Sequence, residues 1–215
     1  MRQNRGVPQA TPPTPRRRLT AEERRGEILE AALAVFSRRG YHPSSIDEIA
    51  QAAGISKALI YEHFASKEQL HVSLIEMYAS ELFRRVAAAG APGPDASKRL
   101  EAGLDAVFGF VEERRGAWQM LFRETVDPEA VAALDSVGVG VMALVAELIA
   151  QDPGAAPGDK RSDQAIEMIA QMIVGSTQAL ANWWNDHQDV PRERLVAMAM
   201  ELLWPGLERL REAGG

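Results

Sequence analysis

The sequence contains no cysteine in 215 residues. That excludes a disulfide framework and a thiolate metal site, and it fits a reducing cytosol. No apolar run approaches the roughly 18 residues a membrane-spanning helix needs, so no membrane partner is expected. The N-terminus is rich in Arg and Pro but has no apolar core segment, which argues against a secretory signal and for a cytoplasmic protein. Alternating β-branched runs bounded by turns are missing, so strands are not expected. The four histidines are scattered, and no motif places a Ser/His/Asp set. The Glu-x-x-His element at 68–71 occurs once, whereas a di-iron bundle needs two. The loose glycine pattern at 138–143 lacks a preceding strand, and 154–160 has the wrong spacing for a phosphate loop. Neither an enzyme nor a metal or other cofactor is expected.

Charge is present but unevenly spread. The formal net charge is −6. Residues 1–70 carry 11 Lys+Arg against 8 Asp+Glu, and residues 71–215 carry 13 against 22. A basic front on an acidic body suits a nucleic-acid contact confined to one end. At physiological salt the Debye length is about 8 Å, so distant acid is largely screened from a phosphate held at that front.

Hydrophobic residues make up 46% of the chain and recur at helical spacing from Thr20 onward. The predicted class is all-α. Residues 1–19, with four prolines and five arginines, read as a disordered arm. Its Arg16, Arg17 and Arg18 suit either a DNA-reaching arm or a solubilising tail. Thr20 with Glu23, Ser45 with Glu48, and Ser66 with Gln69 each fit a capping box, and Ser56 a simple N-cap. Helices are predicted at 21–39, 46–53, 57–63, 67–88, 96–114, 117–124, 128–151, 162–187 and 191–213. Breaks fall at 90–95 and 152–159. Gly40 suits a left-handed exit from the first helix, and Pro205 is expected to kink or interrupt the last one near Trp204.

The short helices 46–53 and 57–63 flank Gly54, whose lack of a Cβ permits a sharp reversal. Ile46, Ile49, Ala50 and Ala53 face inward, Ile55 plugs the corner, and Ile60 and Phe64 line the inner side of the second helix. This is the anatomy of a helix-turn-helix, whose second helix enters a major groove. The outward residues are Lys57, Ala58, Leu59, Tyr61, Glu62 and His63. Lys57 and Lys67, each at a helix N-terminus, suit phosphates. Tyr61 suits either a phosphate or a thymine methyl, Ala58 and Leu59 suit methyls, and His63 a phosphate. Ser44, Ser45 and Ser56 complete the expected DNA-facing set. Glu62 reads as a surface charge.

The run SSIDEIAQAAGISKALIYEHFASKEQL, residues 44–70, with ILEAALAVFSRRGY before it, resembles the DNA-binding segment of TetR-type transcriptional repressors. The resemblance covers roughly 20–70 and rests on the spacing of Phe36, Gly40, Ile49, Ala50, Gly54, Ser56, Lys57, Tyr61, Phe64, Lys67 and Leu70. The chain departs from the family pattern at Ala58–Leu59, where a Gly-Thr pair is frequent, and at His63, where an aromatic is. The resemblance implies an all-helical homodimer with a three-helix DNA-binding head (20–66) and a helical body (67–215) holding a small-molecule cavity.

In the body, residues 162–187 carry two apolar stripes, so that helix is buried on most of its circumference. The stripe with Ile166, Ile169, Ile173, Leu180 and Trp184, together with Leu195, Leu202, Leu203 and Leu210, is assigned to a dimer interface. A monomeric bundle is the competing reading. Phe108, Trp118, Met120, Phe122, Met142, Met168, Met172 and Trp183 are assigned to an effector cavity, because Met and aromatics adapt to apolar ligands. Gln171, Ser176, Gln178 and Asn182 are its candidate polar contacts. The expected function is a ligand-responsive regulator, a repressor released from a palindromic operator by a largely apolar effector. The alternative is a helical small-molecule binder with no sequence-specific DNA function.

Overall fold

The computed structural model describes residues 19–90, 95–122, 128–150 and 160–214. Side chains of 128–131, 134, 160–162 and 210–214 also fall outside the described set. The predicted arm with Arg16, Arg17 and Arg18, the loop at 152–159 and the side chain of Leu210 lie outside the described residues. Among those described there are nine helices: α1 (Ala21–Arg39), α2 (Ile46–Ala53), α3 (Lys57–His63), α4 (Lys67–Ala89), α5 (Ala96–Glu113), α6 (Arg115–Phe122), α7 (Pro128–Ala150), α8 (Lys160–Asn185) and α9 (Arg192–Gly214). None is long and apolar enough to cross a membrane.

Local chemistry sets the helix ends. The capping boxes at Thr20–Glu23 and Ser45–Glu48 form in full. At Ser66 only half forms: its hydroxyl accepts from the Gln69 amide, while Gln69 Oε1 reaches back to the Ala65 amide instead. Gly54 is left-handed at φ 65°, ψ 33°, and the Ile55 amide donates to the Ala50 carbonyl at 3.0 Å, closing α2. Gly40 differs from expectation. Its φ of 82° comes with ψ 163°, an extended positive-φ conformation even more restricted to glycine than the left-handed helical one. Pro205 does not interrupt α9, which continues from Arg192 to Gly214.

α1, α2 and α3 close a small core around Ile28, Phe36, Ile49 and Ile60, all 2% exposed or less. Leu70 from the first turns of α4 joins the same core. α4 then leaves the head and packs along α5 and α7. α5 packs on α9 and α7 on α8. α4 therefore joins head to body as one uninterrupted rod of 23 residues, about 35 Å at 1.5 Å per residue. The short α6 wedges between α1, α4 and α5.

Candidate functional site

The outward strip of α3 is held by what lies beneath it. Ile60 is fully buried and Phe64 nearly so, which fixes the helix's rotation. Lys57, Ala58, Tyr61 and Glu62 are exposed, Tyr61 by 49%. Leu59 and His63 are half-buried at the strip's edges. Ser56 Oγ accepts from the Leu59 amide at 3.2 Å and Ser45 Oγ from the Glu48 amide at 3.3 Å, so both hydroxyls serve as caps. Ser44 is different: it is 4% exposed, and its hydroxyl donates to the Gly40 carbonyl at 2.6 Å. Its side chain belongs to the α1–α2 turn and not to the outward strip.

The two lysines also part company. Lys57 Nζ lies 2.9 Å from the Asp47 carboxylate at the edge of the strip. That hydrogen bond, and then the carboxylate's charge, raise the ammonium above the ordinary lysine value. Lys67 points into the head. Its Nζ donates to the carbonyls of Tyr41 and Ser44 at 3.1 Å and lies 3.4 Å from that of His42. It also sits 4.2 Å from the centre of the Tyr41 ring. The cation expected at an open helix terminus is thus a clamp between α4 and the turn that precedes α2.

A second clamp was not legible in the sequence. Arg25 of α1 donates to the His63 carbonyl at 3.1 Å and to Ser73 Oγ at 2.9 Å, and its guanidinium lies 4.1 Å above the Phe64 ring. It binds the exit of α3 to α4. No local spacing signals such a role, because the partners lie 38 and 48 residues away. His71, from the Glu-x-x-His element, is buried in the α1–α4 seam and stacks on Tyr41 with ring centres 4.4 Å apart. Among the described residues no cluster of metal-ligating side chains forms.

The body holds a cavity of about 980 Å³, open to solvent on one side, between α4, α5, α6, α7, α8 and the middle of α9. Of the expected lining residues, Trp118, Phe122, Met168 and Met172 do line it, and so do Gln171 and Gln178. The other four fall elsewhere. Phe108 is fully buried and packs edge-on to Trp184. Met120 faces Tyr41 and His71 on the opposite side of α6, Met142 is not in the wall, and Trp183 is exposed and stacked on His187. Leu, Val and Ile supply about half of the wall, including Leu82, Leu104, Val141 and Leu144. Asn182 accepts from Trp118 Nε1 at 2.9 Å, linking α6 to α8, and the Ser176 hydroxyl donates to the Met172 carbonyl at 2.6 Å.

The α8 stripe expected at the interface turns inward instead. Ile166, Ile169 and Ile173 face the cavity, while Trp184 and Leu195 are buried in the chain's own core, with Leu180 and Leu203 packed against it. A side chain buried within its own subunit has no surface left for a partner. The outward stripe is Met168, Met172, Gly175, Ala179 and Trp183, with Met198 and Leu202 beside it on α9. Leu202 is 75% exposed. Hydrophobicity could not separate the stripes, since both are apolar; only the direction in which α7 packs decides.

A helix-turn-helix head carried on a helical body with an internal apolar cavity defines a DNA-binding transcription regulator. Two family models match the chain: one described as bacterial regulatory proteins of the tetR family, over residues 28–74, and one as the tetracyclin repressor-like C-terminal domain, over residues 96–206. The chain belongs to the TetR family of bacterial transcriptional regulators. It is 31% identical over 195 residues to the HTH-type transcriptional activator FasR of Mycolicibacterium smegmatis, a match covering 90% of this chain and 87% of FasR. The crystal structure of a TetR-like transcriptional regulator from Rhodococcus sp. RHA1 has 29% identity and a TM-score of 0.74, covering 89% of this chain and 99% of that one. The regulator FadR from Bacillus subtilis, solved in complex with stearoyl-CoA, shares the fold at a TM-score of 0.71 and 20% identity, covering 83% of this chain and 96% of FadR.

Proposed function

We propose that the chain acts as a homodimer on a two-fold-symmetric DNA operator and changes its operator affinity when an apolar effector fills the body cavity. The observation that carries this reading is the course of α4. Lys67, in its first turn, clamps the turn preceding α2, while Leu82, Phe83 and Val86 near its other end line the cavity. An effector that shifts the cavity end of this rod moves the head. The coupling required is ordinary, about 1–3 kcal/mol.

The outward apolar stripe of α8 and α9 is the surface that supports dimerisation. Two heads carried on one two-fold axis read half-sites about one DNA turn apart, roughly 10 bp. Lys57, Tyr61 and His63 are the side chains proposed to contact DNA, with Ala58 and Leu59 against thymine methyls and the helix ends capped by Ser45 and Ser56 beside the phosphates. A long apolar chain suits the aliphatic wall, and the stearoyl-CoA in FadR supports that class. Effector binding that loosens the heads releases the operator. Whether release raises or lowers transcription depends on where the operator lies relative to the promoter, so the same motion serves a repressor or an activator such as FasR.

The test is selection of genomic DNA by the purified protein, followed by gel-shift titration with stearoyl-CoA and shorter acyl-CoAs. Enrichment of a palindrome whose affinity changes at saturating effector is the expected result. Binding of acyl chains with no palindrome enriched over bulk DNA would leave only a small-molecule binder.

A further inference from the structure

Two methionines of α8 belong to two surfaces at once. Met168 and Met172 line the body cavity, yet they stand 62% and 58% exposed. Glu167 and Gln171, beside them on the helix, also line the cavity and are also exposed. Among the remaining lining residues only Gly138 of α7 is exposed to that degree; the others are buried or half-buried by the chain itself. The mouth of the cavity therefore lies along the first half of α8.

That mouth opens on the outward apolar face. Met168 and Met172 begin the stripe that continues through Ala179 and Trp183 and is flanked on α9 by Met198 and Leu202. Half-buried Trp204 and Leu207 carry α9 from this face into the cavity wall. The stripe itself bears no charge. A two-fold interface sets one surface against its own copy, so an uncharged apolar face can be self-complementary where a singly signed one would repel. A ligand that fills the cavity of a lone subunit meets water at this mouth.

We propose that a second copy of the chain completes the effector site, the α8–α9 face of the partner forming the wall that one subunit lacks. This rests on the readings of the cavity as the effector site and of the stripe as the dimer surface. Effector affinity then depends on assembly, and by reciprocity the effector tightens the dimer. A dimer holds two such sites, so the gain per site enters the dimer dissociation constant squared. A tenfold gain per site is about 1.4 kcal/mol, which the burial of roughly 55 Å² of apolar ligand surface supplies. Effector-driven release of DNA proceeds with the dimer intact.

The experiment uses the full-length protein with stearoyl-CoA as the probe. Binding is read from tryptophan fluorescence, since Trp118 and Trp204 line the cavity. Wild type is titrated above and below its dimer dissociation constant, which sedimentation measures with and without saturating probe. Met198→Glu with Leu202→Glu supplies a monomer whose two changes lie outside the cavity wall. The dimer is expected to bind the probe at least tenfold tighter than either the diluted wild type or the variant, and saturating probe is expected to lower the dimer dissociation constant by about the square of that factor. The wild-type arms decide the question by themselves if the variant does not fold. Equal affinity in dimer and monomer, or a dimer dissociation constant that the probe leaves unchanged, would overturn the shared site and make the cavity complete within one chain. A variant that stays dimeric overturns it by moving the interface off this face. Probe binding to neither form removes the acyl-chain reading of the cavity instead, and a wild type that is monomeric at every concentration removes the dimer reading.

Discussion

Lys67 Nζ lies 3.1 Å from the carbonyl oxygen of Ser44, a residue 23 positions earlier in the chain, and 3.1 Å from that of Tyr41. Three carbonyls at the end of α1 thereby find one cation, and the first turn of α4 is tied to the segment that leads into the helix-turn-helix. Lys67→Met is expected to lower stability by about 1–3 kcal/mol, as bonds to a charged group usually do when lost. Operator affinity falls equally for all sequences, but the salt dependence of binding stays as in wild type, because the lost charge faced carbonyls. Denaturant melts and a salt series of binding isotherms check this. A slope shallower by about 0.9, the increment for one phosphate contact, would place Lys67 on DNA instead.

Asp47 holds Lys57 at the edge of the outward strip. In the proposed complex a phosphate would replace that carboxylate as the partner of the ammonium. Asp47→Asn keeps a hydrogen-bonding side chain while removing a negative charge from the approach path. Operator affinity should rise several-fold at low salt, and the gain should shrink as salt is added. Thermal stability changes little, since the pair is solvent-exposed. An unchanged affinity at low salt would mean that this corner of the head stays away from phosphate.

Gly116 presses α6 onto α1. A Cβ built there would stand 2.4 Å from Ser37 Oγ and 3.1 Å from Ser37 Cβ. Ser37 Oγ is itself fixed by its bond to the Leu33 carbonyl at 2.7 Å. Gly116→Ala should therefore cost about 1–3 kcal/mol through overpacking. Adding Ser37→Ala removes the nearer clash, so the double variant should recover part of the loss. A double-mutant cycle by urea denaturation measures it; strict additivity would separate the two sites.

Met172 and Trp183 stand on the exposed face of α8, at 58% and 45% exposure. Met172→Glu together with Trp183→Glu should give a folded, helical monomer by analytical ultracentrifugation. Its operator affinity should drop by at least a hundredfold, since one half-site is lost. The same two changes made at Ile173, buried in the cavity wall, and Trp184, buried in the subunit's own core, should destabilise the fold rather than divide the dimer. Retention of a dimer by the first pair would move the interface elsewhere.

The head was readable from sequence because its determinants are local. Caps at Thr20, Ser45 and Ser56 and the turn at Gly54 act within four residues of themselves, and each sits where the sequence put it. Ser44 bonds the Gly40 carbonyl four residues back, within the α1–α2 turn, whereas the partners of Lys67 lie 23 to 26 residues away, a distance that no short spacing encodes. In the body, the helices were readable to within two residues or so, but the two faces of α8 were not. Met168 and Ile169 are neighbours in sequence with similar hydrophobicity and both border the cavity, yet Met168 is largely exposed and Ile169 is half-buried. Met and aromatics make up only part of the cavity wall, about half of which is Leu, Val and Ile.

The short helix α6 has two working sides. Trp118 and Phe122, four residues apart and in ring contact at 4.1 Å, form part of the cavity wall. Gln119 and Met120 turn the other way, toward Phe36, Tyr41 and His71 beneath the head. Under the proposed reading, a mutation that reshapes the wall for a new effector also disturbs the floor beneath α1 and α2. Selection for a different signal and selection for a steady grip on DNA would then pull on the same two turns of chain, and a lineage that changed one would have to readjust the other.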